Sequence, residues 1–383
     1  MRVLMVTGSY PPQPCGVGNY TQRLVQELSA AGIEVDVATT AAKPVRNDPR
    51  VSLEVPDWRI RTLRQALAKI RPESYDIVHI QYPARFYGYL PDLALLSFQI
   101  KRALPKIPVL LTLHEFSITH LFRKLTVGAI ATPASSVTLT TESEHRPLLR
   151  WFPWLRNKVR VIHMAPSIPL EPITPSVREE IRMLLGIGPE EEIVVYFGLL
   201  HPNKGIKKLI EAFGTKSLRN RKLRLLTLSY FDPQQNPFHA ELQELSRDQG
   251  SEGKIIWAGF LDDKTSAEYL AASDIACLPF EDGVTLRRLS FMAAMGLGRP
   301  TVTTVGHAKP EVMGLVAGEH AMLLPARCTP EKLGEALAEL LDSKELRERL
   351  SAGATAWASQ FRWEVVVRKT LALYNDLKEH PRQ

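Results

Sequence analysis

Residues 193–213 read IVVYFGLLHPNKGIKKLIEAF. The run IVVYFG (193–198) is apolar without polar alternation, which marks a parallel strand buried on both faces. A loop with Gly, Pro and Asn follows, and then an amphipathic stretch from Ile206 to Phe213 that reads as a helix. This is one strand–helix unit, and the same unit recurs in both directions along the chain. Upstream lie RVLMVT (2–7), VDVATT (35–40), DIVHIQY (76–82), VLLTLHE (109–115), SVTLTT (136–141) and VRVIHM (159–164). Downstream lie LRLLTLS (223–229), KIIWAGF (254–260), DIACLPF (274–280), PTVTTV (300–305) and AMLLPA (321–326). Helical stretches such as Asn19–Ala31 and Pro330–Leu341 stand between them. Alternation on this scale predicts an α/β protein with doubly wound sheets, and twelve strands suit two sheets better than one.

The boundary between the sheets falls at 165–187, where APSIPLEPITPSV carries four prolines in thirteen residues. A short helix over 177–187 leads into the second domain. The chain ends in a second amphipathic stretch, RWEVVVRKTLALYNDLKEH. Ligands in such folds bind at the carboxyl ends of the strands, so the loops there are the places to search for chemistry.

The chain has 383 residues and a formal net charge of +7, with 45% hydrophobic and 23% charged residues, an ordinary globular balance. The charge is uneven. Residues 1–170 hold 21 Lys and Arg against 12 Asp and Glu, whereas 171–383 hold 27 against 29. A basic first half fits a polyanion or an anionic membrane surface, or a solvated face with no partner. Cys15, Cys277 and Cys328 are far apart with no CxxC spacing, which argues against a disulfide framework or a zinc site and for a reducing compartment. The N-terminus is too short in its apolar run for a signal peptide, and no apolar run reaches the ~18–20 residues that span a bilayer. The expectation is a soluble or peripheral protein of the cytoplasm.

Five stretches carry candidate chemistry. In SYPPQPCGVGNYTQRL, Gly16 and Gly18 precede a helix expected from Asn19, so backbone N–H groups there can bind a phosphate or a sugar hydroxyl; a tight turn with no ligand is the plainer alternative. The pattern is not GxGxxG, and no acidic residue ends the second strand. His114 closes the fourth strand, placed either to donate to a sugar hydroxyl or to bond a backbone carbonyl as a structural residue. After Gly198, Lys204 and Gly205 sit just before a helix, where the ammonium can meet a diphosphate leaving group. Lys207 and Lys208 read as surface residues. The stretch PFEDGVTLRRLSFMAAMGLGRPTVTT (279–304) brings Glu281, Asp282 and Gly283 beside Thr285, Arg287 and Arg288 at a helix start. Arginines there oppose the helix dipole unless an anion is present, which suits a nucleotide sugar; a surface ion-pair cluster is the alternative. Finally, HRPLLRWFPWLRNKVRV (145–161) interleaves Arg146, Arg150 and Arg156 with Trp151, Phe152 and Trp154. This composition fits a membrane interface, single-stranded nucleic acid, or a partly buried aromatic cluster.

Taken in order, the glycine turn PPQPCGVGNY, TLHE, VIHMAPSIP, FGLLHPNKGIKKLIEAF, AGFLDDKTSAEYLAASDIACLPF and GLGRPTV resemble glycosyltransferase family 4, the retaining GT-B enzymes, along almost the whole chain. The resemblance implies two Rossmann-like domains facing an interdomain cleft. Residues 1–170 would be the acceptor-binding domain and 171–360 the nucleotide-sugar domain. Residues 361–383 would form a helix crossing back to the first, with closure about 165–187. It implies transfer of a sugar from a UDP- or GDP-sugar to a glycan or lipid-linked acceptor, with no cofactor or metal. In that reading His114 contacts the donor sugar and Lys204 holds the diphosphate. Gly16, Gly18, Gly198, Gly283 and Thr285 contribute to donor binding, and the base lies near Gly259–Thr265. Arg146, Arg150, Trp151, Trp154 and Arg156 would face an anionic inner membrane surface, with no nucleic acid as partner.

The sequence departs from the family at three places. Leu199 stands where members carry Arg, and Thr285 and Ala293 stand where they carry two Glu. The loop DGVTLRRL is closest to a subset with DGVSLRRG. Arg287 or Arg288 is therefore expected to replace the missing Arg, and Asp282 or Glu281 the first Glu. With two polar residues missing, a GT-B scaffold without transfer activity is a second reading. A nucleic-acid-binding protein is a third, for which no recognition module is present.

Overall fold

The computed structural model describes residues 1–13, 15–41, 48–71, 74–83, 85–88, 91–117, 119–306 and 314–380. The chain divides into two compact units, Met1–Ser167 with Trp363–Gln383, and Ile168–Arg362. The changes of unit thus fall at 167/168 and 362/363, where the sequence reading placed them at 170/171 and 360/361.

The first unit runs β1 (Arg2–Thr7), α1 (Gly16–Ala30), β2 (Glu34–Thr40), β3 (Val51–Val55), α2 (Ile60–Leu67), β4 (Ile77–Tyr82), α3 (Leu96–Ala103), β5 (Val109–Leu113), α4 (Leu121–Ala131), β6 (Ser136–Leu139), α5 (His145–Trp151) and β7 (Val159–Val161). Its strands form a parallel sheet in the order β3-β2-β1-β4-β5-β6-β7. β4, β5 and β6 are buried at every position, as strands covered on both faces must be. β3 has no counterpart among the twelve expected strands. It lies at the sheet edge, and its residues alternate between half-buried and exposed before Val55.

The second unit runs α6 (Pro175–Leu184), β8 (Glu192–Phe197), α7 (Ile206–Gly214), β9 (Leu223–Leu228), α8 (Pro237–Asp248), β10 (Ile255–Trp257), α9 (Asp263–Ala272), β11 (Ile275–Leu278), α10 (Leu289–Gly296), β12 (Thr301–Val305), β13 (Met322–Pro325), α11 (Pro330–Asp342) and α12 (Lys344–Ala358). The sheet order is β10-β9-β8-β11-β12-β13, again parallel. Both sheets reverse their winding at one strand pair, β1/β4 and β8/β11. The carboxyl ends of these pairs are where a doubly wound sheet opens a crevice. Each fully buried Val, Leu or Ile in these strands contributes about 1.5–3 kcal/mol of transfer free energy.

The last helix, α13 (Trp363–Glu379), packs with the first unit. The Trp363 ring stacks on Tyr20 of α1 at 5.3 Å, and its Nε1 donates to the Pro166 carbonyl at 2.7 Å. Lys378 pairs with Asp76 at 2.9 Å. No described helix is long and apolar enough to cross a membrane.

Candidate active site

In the second unit the residues after β8 and β11 are tied together through the backbone. Gly205 has φ of 74°, and a Cβ there would lie 1.8 Å from the Pro279 carbonyl oxygen, so only glycine lets the two loops touch. The Glu281 N–H donates to the Asn203 carbonyl at 3.1 Å. Gly283, with φ of 86°, brings its Cα against the backbone after β12, where a Cβ would meet the Gly306 nitrogen at 2.2 Å. Gly198 follows β8 directly and leads into this loop.

Two cations share one aromatic ring here. Lys204 Nζ lies 5.5 Å, and the Arg288 guanidinium 4.7 Å, from the centre of buried Phe280. Asp282 accepts two hydrogen bonds from Arg288 Nη2, at 2.5 and 2.7 Å. Burial, followed by the charge of Arg288, lowers the Lys204 ammonium from 10.5 to about 8, with Asp282 opposing. The Arg288 side chain is 12% exposed, and its Nε is buried with no hydrogen-bond partner among the described residues. A buried N–H left unpaired costs about 1–3 kcal/mol, and an incoming acceptor would remove that cost. The cluster therefore holds two cations against one carboxylate.

Several expectations are corrected at this site. Lys208 is not a surface residue: it is 9% exposed, donates to the Ala326 carbonyl at 2.8 Å and pairs with Glu281 at 3.2 Å. Glu281 is thereby engaged by Lys208, and Asp282 by Arg288, because both carboxylates lie within reach of a poorly solvated cation. The Asp282–Arg288 pair is an ion pair, as the alternative reading held, but one with a buried guanidinium. Arg287 and Thr285 are half-buried, and Arg288 occupies the N-cap position of α10. Leu199 is 73% exposed and Ala293 is 1% exposed within α10, so neither position supplies a polar group.

In the first unit α1 opens at Gly16 and not at Asn19. Gly16 and Gly18 thus form its first turn, because the Asn19 N–H already bonds back to the Cys15 carbonyl at 2.9 Å. That turn contains no acidic residue, and neither do those of α7 and α10, which leaves the positive ends of three helices free of built-in carboxylates.

His114 follows β5, is 4% exposed, and donates its backbone N–H to the Tyr82 carbonyl at 2.8 Å. Its Nε2 meets Gln81 Oε1 at 2.9 Å, while Gln81 Nε2 lies 3.0 Å from His79 Nε2. His79 Nε2 also meets Thr112 Oγ1 at 2.7 Å, and Thr112 meets Thr138 at 2.6 Å. His79 Nδ1 contacts the Tyr374 hydroxyl of α13 at 2.7 Å. An amide nitrogen can only donate, so His79 Nε2 accepts and its Nδ1–H donates to Tyr374. Gln81 Oε1 then accepts from His114 Nε2–H. Burial pushes His114 down to about 4, and burial with the neighbouring His114 pushes His79 down to about 3, so both rings are neutral at pH 7. The sequence reading missed this network. Its signal was His79 and Gln81, two residues apart and so on one face of a strand otherwise apolar.

The segment 145–161 is half core and half surface. Phe152 is buried and packs edge-on to Phe116 at 5.9 Å and to Trp154 at 5.5 Å. Trp151 and Trp154 are 40% and 60% exposed, and Arg146, Arg150 and Arg156 are exposed. Among the described residues no group of three or more His, Cys, Asp or Glu side chains could hold a metal ion.

Known proteins match almost the whole chain. The curated D-inositol 3-phosphate glycosyltransferase of Corynebacterium glutamicum is 25% identical, over 98% of this chain and 97% of its own. The MMP alpha-(1->4)-mannosyltransferase of Mycolicibacterium hassiacum is also 25% identical, over 98% of both chains. Among solved structures, a glycosyltransferase from Rickettsia africae matches with a TM-score of 0.76 at 16% identity, covering 99% of both chains. Anabaena Alr3699/HepE, solved with UDP and glucose, matches with a TM-score of 0.74 at 16% identity, over 98% of this chain and 100% of that one. The fold is GT-B. The family model described as Glycosyltransferase Family 4 matches residues 14–165, and the one described as Glycosyl transferases group 1 matches residues 191–343. The two matches lie one on each unit, and the chain belongs to glycosyltransferase family 4.

Proposed function

We propose that this glycosyltransferase moves a hexosyl group from a UDP- or GDP-sugar to a glycan or lipid-linked acceptor in polysaccharide or glycolipid synthesis, with retention of anomeric configuration. The observation that carries the donor reading is the pair of cations on Phe280, in excess over Asp282, at the carboxyl ends of β8 and β11. Lys204 and Arg288 meet the diphosphate as it leaves with growing negative charge. Arg288 takes the part of the guanidinium absent at Leu199. Gly198, Gly205 and Gly283 let the backbone approach the donor, with Thr285 and the first turn of α10 as further N–H donors. Diphosphate charge is met by side chains in this reading, with no resident metal or cofactor assigned.

The neutral imidazole of His114 hydrogen-bonds the transferred sugar without adding a charge that would oppose an oxocarbenium-like state. Positioning and leaving-group stabilisation then supply the catalysis. Support for the nucleotide comes from HepE, whose structure holds UDP, and support for an anionic acceptor from the relatives named for D-inositol 3-phosphate. The basic first half, with Arg146, Arg150, Arg156, Trp151 and Trp154 exposed, supports a peripheral position at the inner face of the cell membrane.

A thermal-shift screen with UDP, GDP and ADP tests the donor reading. A nucleotide that binds the native state raises the melting temperature, and Lys204→Ala removes most of the shift. The affinity also falls as pH rises through about 8, where the ammonium loses its proton. If none of the three shifts the melting temperature, the reading fails. Binding of a nucleotide with no turnover across UDP- and GDP-sugars would instead establish a non-catalytic GT-B scaffold.

A further inference from the structure

α4 is apolar on two sides. Val127, Gly128, Ile130 and Ala131 are buried against the rest of the first unit, where a Cβ at Gly128 would lie 2.4 Å from the Phe152 ring. The outward side is also apolar. Leu121, Phe122 and Leu125 are 51%, 73% and 53% exposed. A surface helix ordinarily turns charged residues outward, so this side has something to cover it. Phe122 and Leu125 line a cavity of about 540 Å³ together with Tyr82, Leu93, Ala94 and Ala129. Tyr82 ends β4, and its carbonyl accepts the His114 N–H. One lining residue of the cavity is thus bonded through its backbone to the candidate sugar-binding histidine.

Arg123 is the cation among the lining residues of the cavity. Its neighbour Lys124 turns to Trp151, with Nζ 5.4 Å from the ring centre, and Arg146 and Arg150 of α5 line a separate cavity beside Trp151. An apolar cavity with one arginine in its lining, beside an exposed apolar strip, complements one kind of ligand: a hydrocarbon chain with an anionic head.

We infer that the cavity under α4 takes the hydrocarbon chain of a lipid-linked acceptor, with its anionic head toward Arg123. The inference rests on the acceptor role proposed for the first unit, and it names the acceptor class. A water-soluble phosphorylated acceptor would use Arg123 and leave the cavity and the Leu121, Phe122 and Leu125 strip uncovered.

Calorimetric titration of the full chain with dodecyl maltoside below its micelle concentration, against maltose alone, reads chain binding without head charge. Saturable binding of dodecyl maltoside and none of maltose is expected. Phe122→Ser combined with Leu125→Ser replaces two exposed side chains, so folding is retained, and it weakens binding about tenfold or more. Met183→Ser combined with Leu184→Ser changes apolar residues of the second unit that are at least as exposed, and leaves binding unchanged. Ala129→Trp fills the cavity and abolishes chain binding, while sedimentation with phosphatidylglycerol vesicles persists through the basic surface. Equal affinity for maltose and dodecyl maltoside would overturn the assignment. So would binding indifferent to both the double variant and Ala129→Trp, or a dimer of this chain dispersed by the double variant without chain binding. The nucleotide screen is independent of these outcomes: chain binding with no nucleotide shift removes the donor reading alone, and a nucleotide shift with no chain binding removes the cavity assignment alone.

Discussion

Arg288 Nη2 donates to both carboxylate oxygens of Asp282, while among the described residues its buried Nε–H has no partner. A guanidinium in that state is neutralised without being satisfied. This gives Asp282 two possible roles with opposite signs. As a counter-ion it competes with an incoming diphosphate, so Asp282→Asn should tighten UDP or GDP binding by a few-fold, the scale of a partly exposed charge. As a ligand of the donor sugar it would leave nucleotide binding unchanged and weaken only the nucleotide sugar. The counter-ion role is the one expected, since both carboxylate oxygens already accept from Arg288. Arg288→Ala should cost about 1.5–3 kcal/mol of nucleotide affinity, or roughly 10–150-fold, as the loss of a charged hydrogen-bond donor. Calorimetry on the two variants reads the signs directly, and weaker nucleotide binding in Asp282→Asn would refute the counter-ion role.

At the scale of elements, the polar network ties β4, β5, β6 and α13 into one buried unit whose stability depends on pH. Unfolded, His79 and His114 take a proton near 6.5, whereas folded they resist it until about 3 and about 4. Burial lowers His163 in the same direction. Between those values the unfolded state binds more protons, so stability falls as pH drops from about 6.5. The slope is up to ~1.4 kcal/mol per pH unit for each histidine. Urea unfolding at pH 6.5 and pH 5 should show this loss, and His114→Gln should remove about one histidine's share. A stability flat across that interval would mean that the rings are not neutral in the folded state. The same elements show what was legible in the sequence. Long apolar runs declared the central strands of both sheets, because burial on both faces leaves no polar positions. The edge strand β3 was missed because VSLEV alternates apolar with polar residues, whereas the central strands stand out as apolar runs. The α1 start was set too late because glycine opens the helix. Lys208 looked like a solvated residue on α7, since only the fold brings Glu281 and the Ala326 carbonyl to it. The Lys204 loop was legible because strand, Gly, Lys-Gly and helix are local; the network of Gln81 and Tyr374 was not, because its members are far apart in sequence.

At the scale of the whole molecule, the chain leaves the first unit at Ser167 and returns to it at Trp363, so the second unit is an insertion between two pieces of the first. The first unit is complete only when α13 docks. Trp363 provides the anchor through its stack on Tyr20 and its bond to Pro166, and Tyr374 caps His79 from the same helix. Trp363→Ala removes the ring and leaves the Pro166 carbonyl without that donor, a loss of about 3–5 kcal/mol by the usual cost of a large aromatic truncation. That cost falls on the first unit alone, because both partners of Trp363 belong to it. Nucleotide binding, in contrast, uses residues of the second unit and should stabilise that unit by mass action. Scanning calorimetry of the full chain should therefore resolve two responses: Trp363→Ala lowers the melting of one transition, and saturating nucleotide raises the other. Combining them should spread the two transitions further apart than either change alone. If Trp363→Ala lowered both transitions equally, or if nucleotide raised the transition that Trp363→Ala lowers, the two units would be one cooperative body, and the division of acceptor and donor chemistry between them would lose its thermodynamic basis.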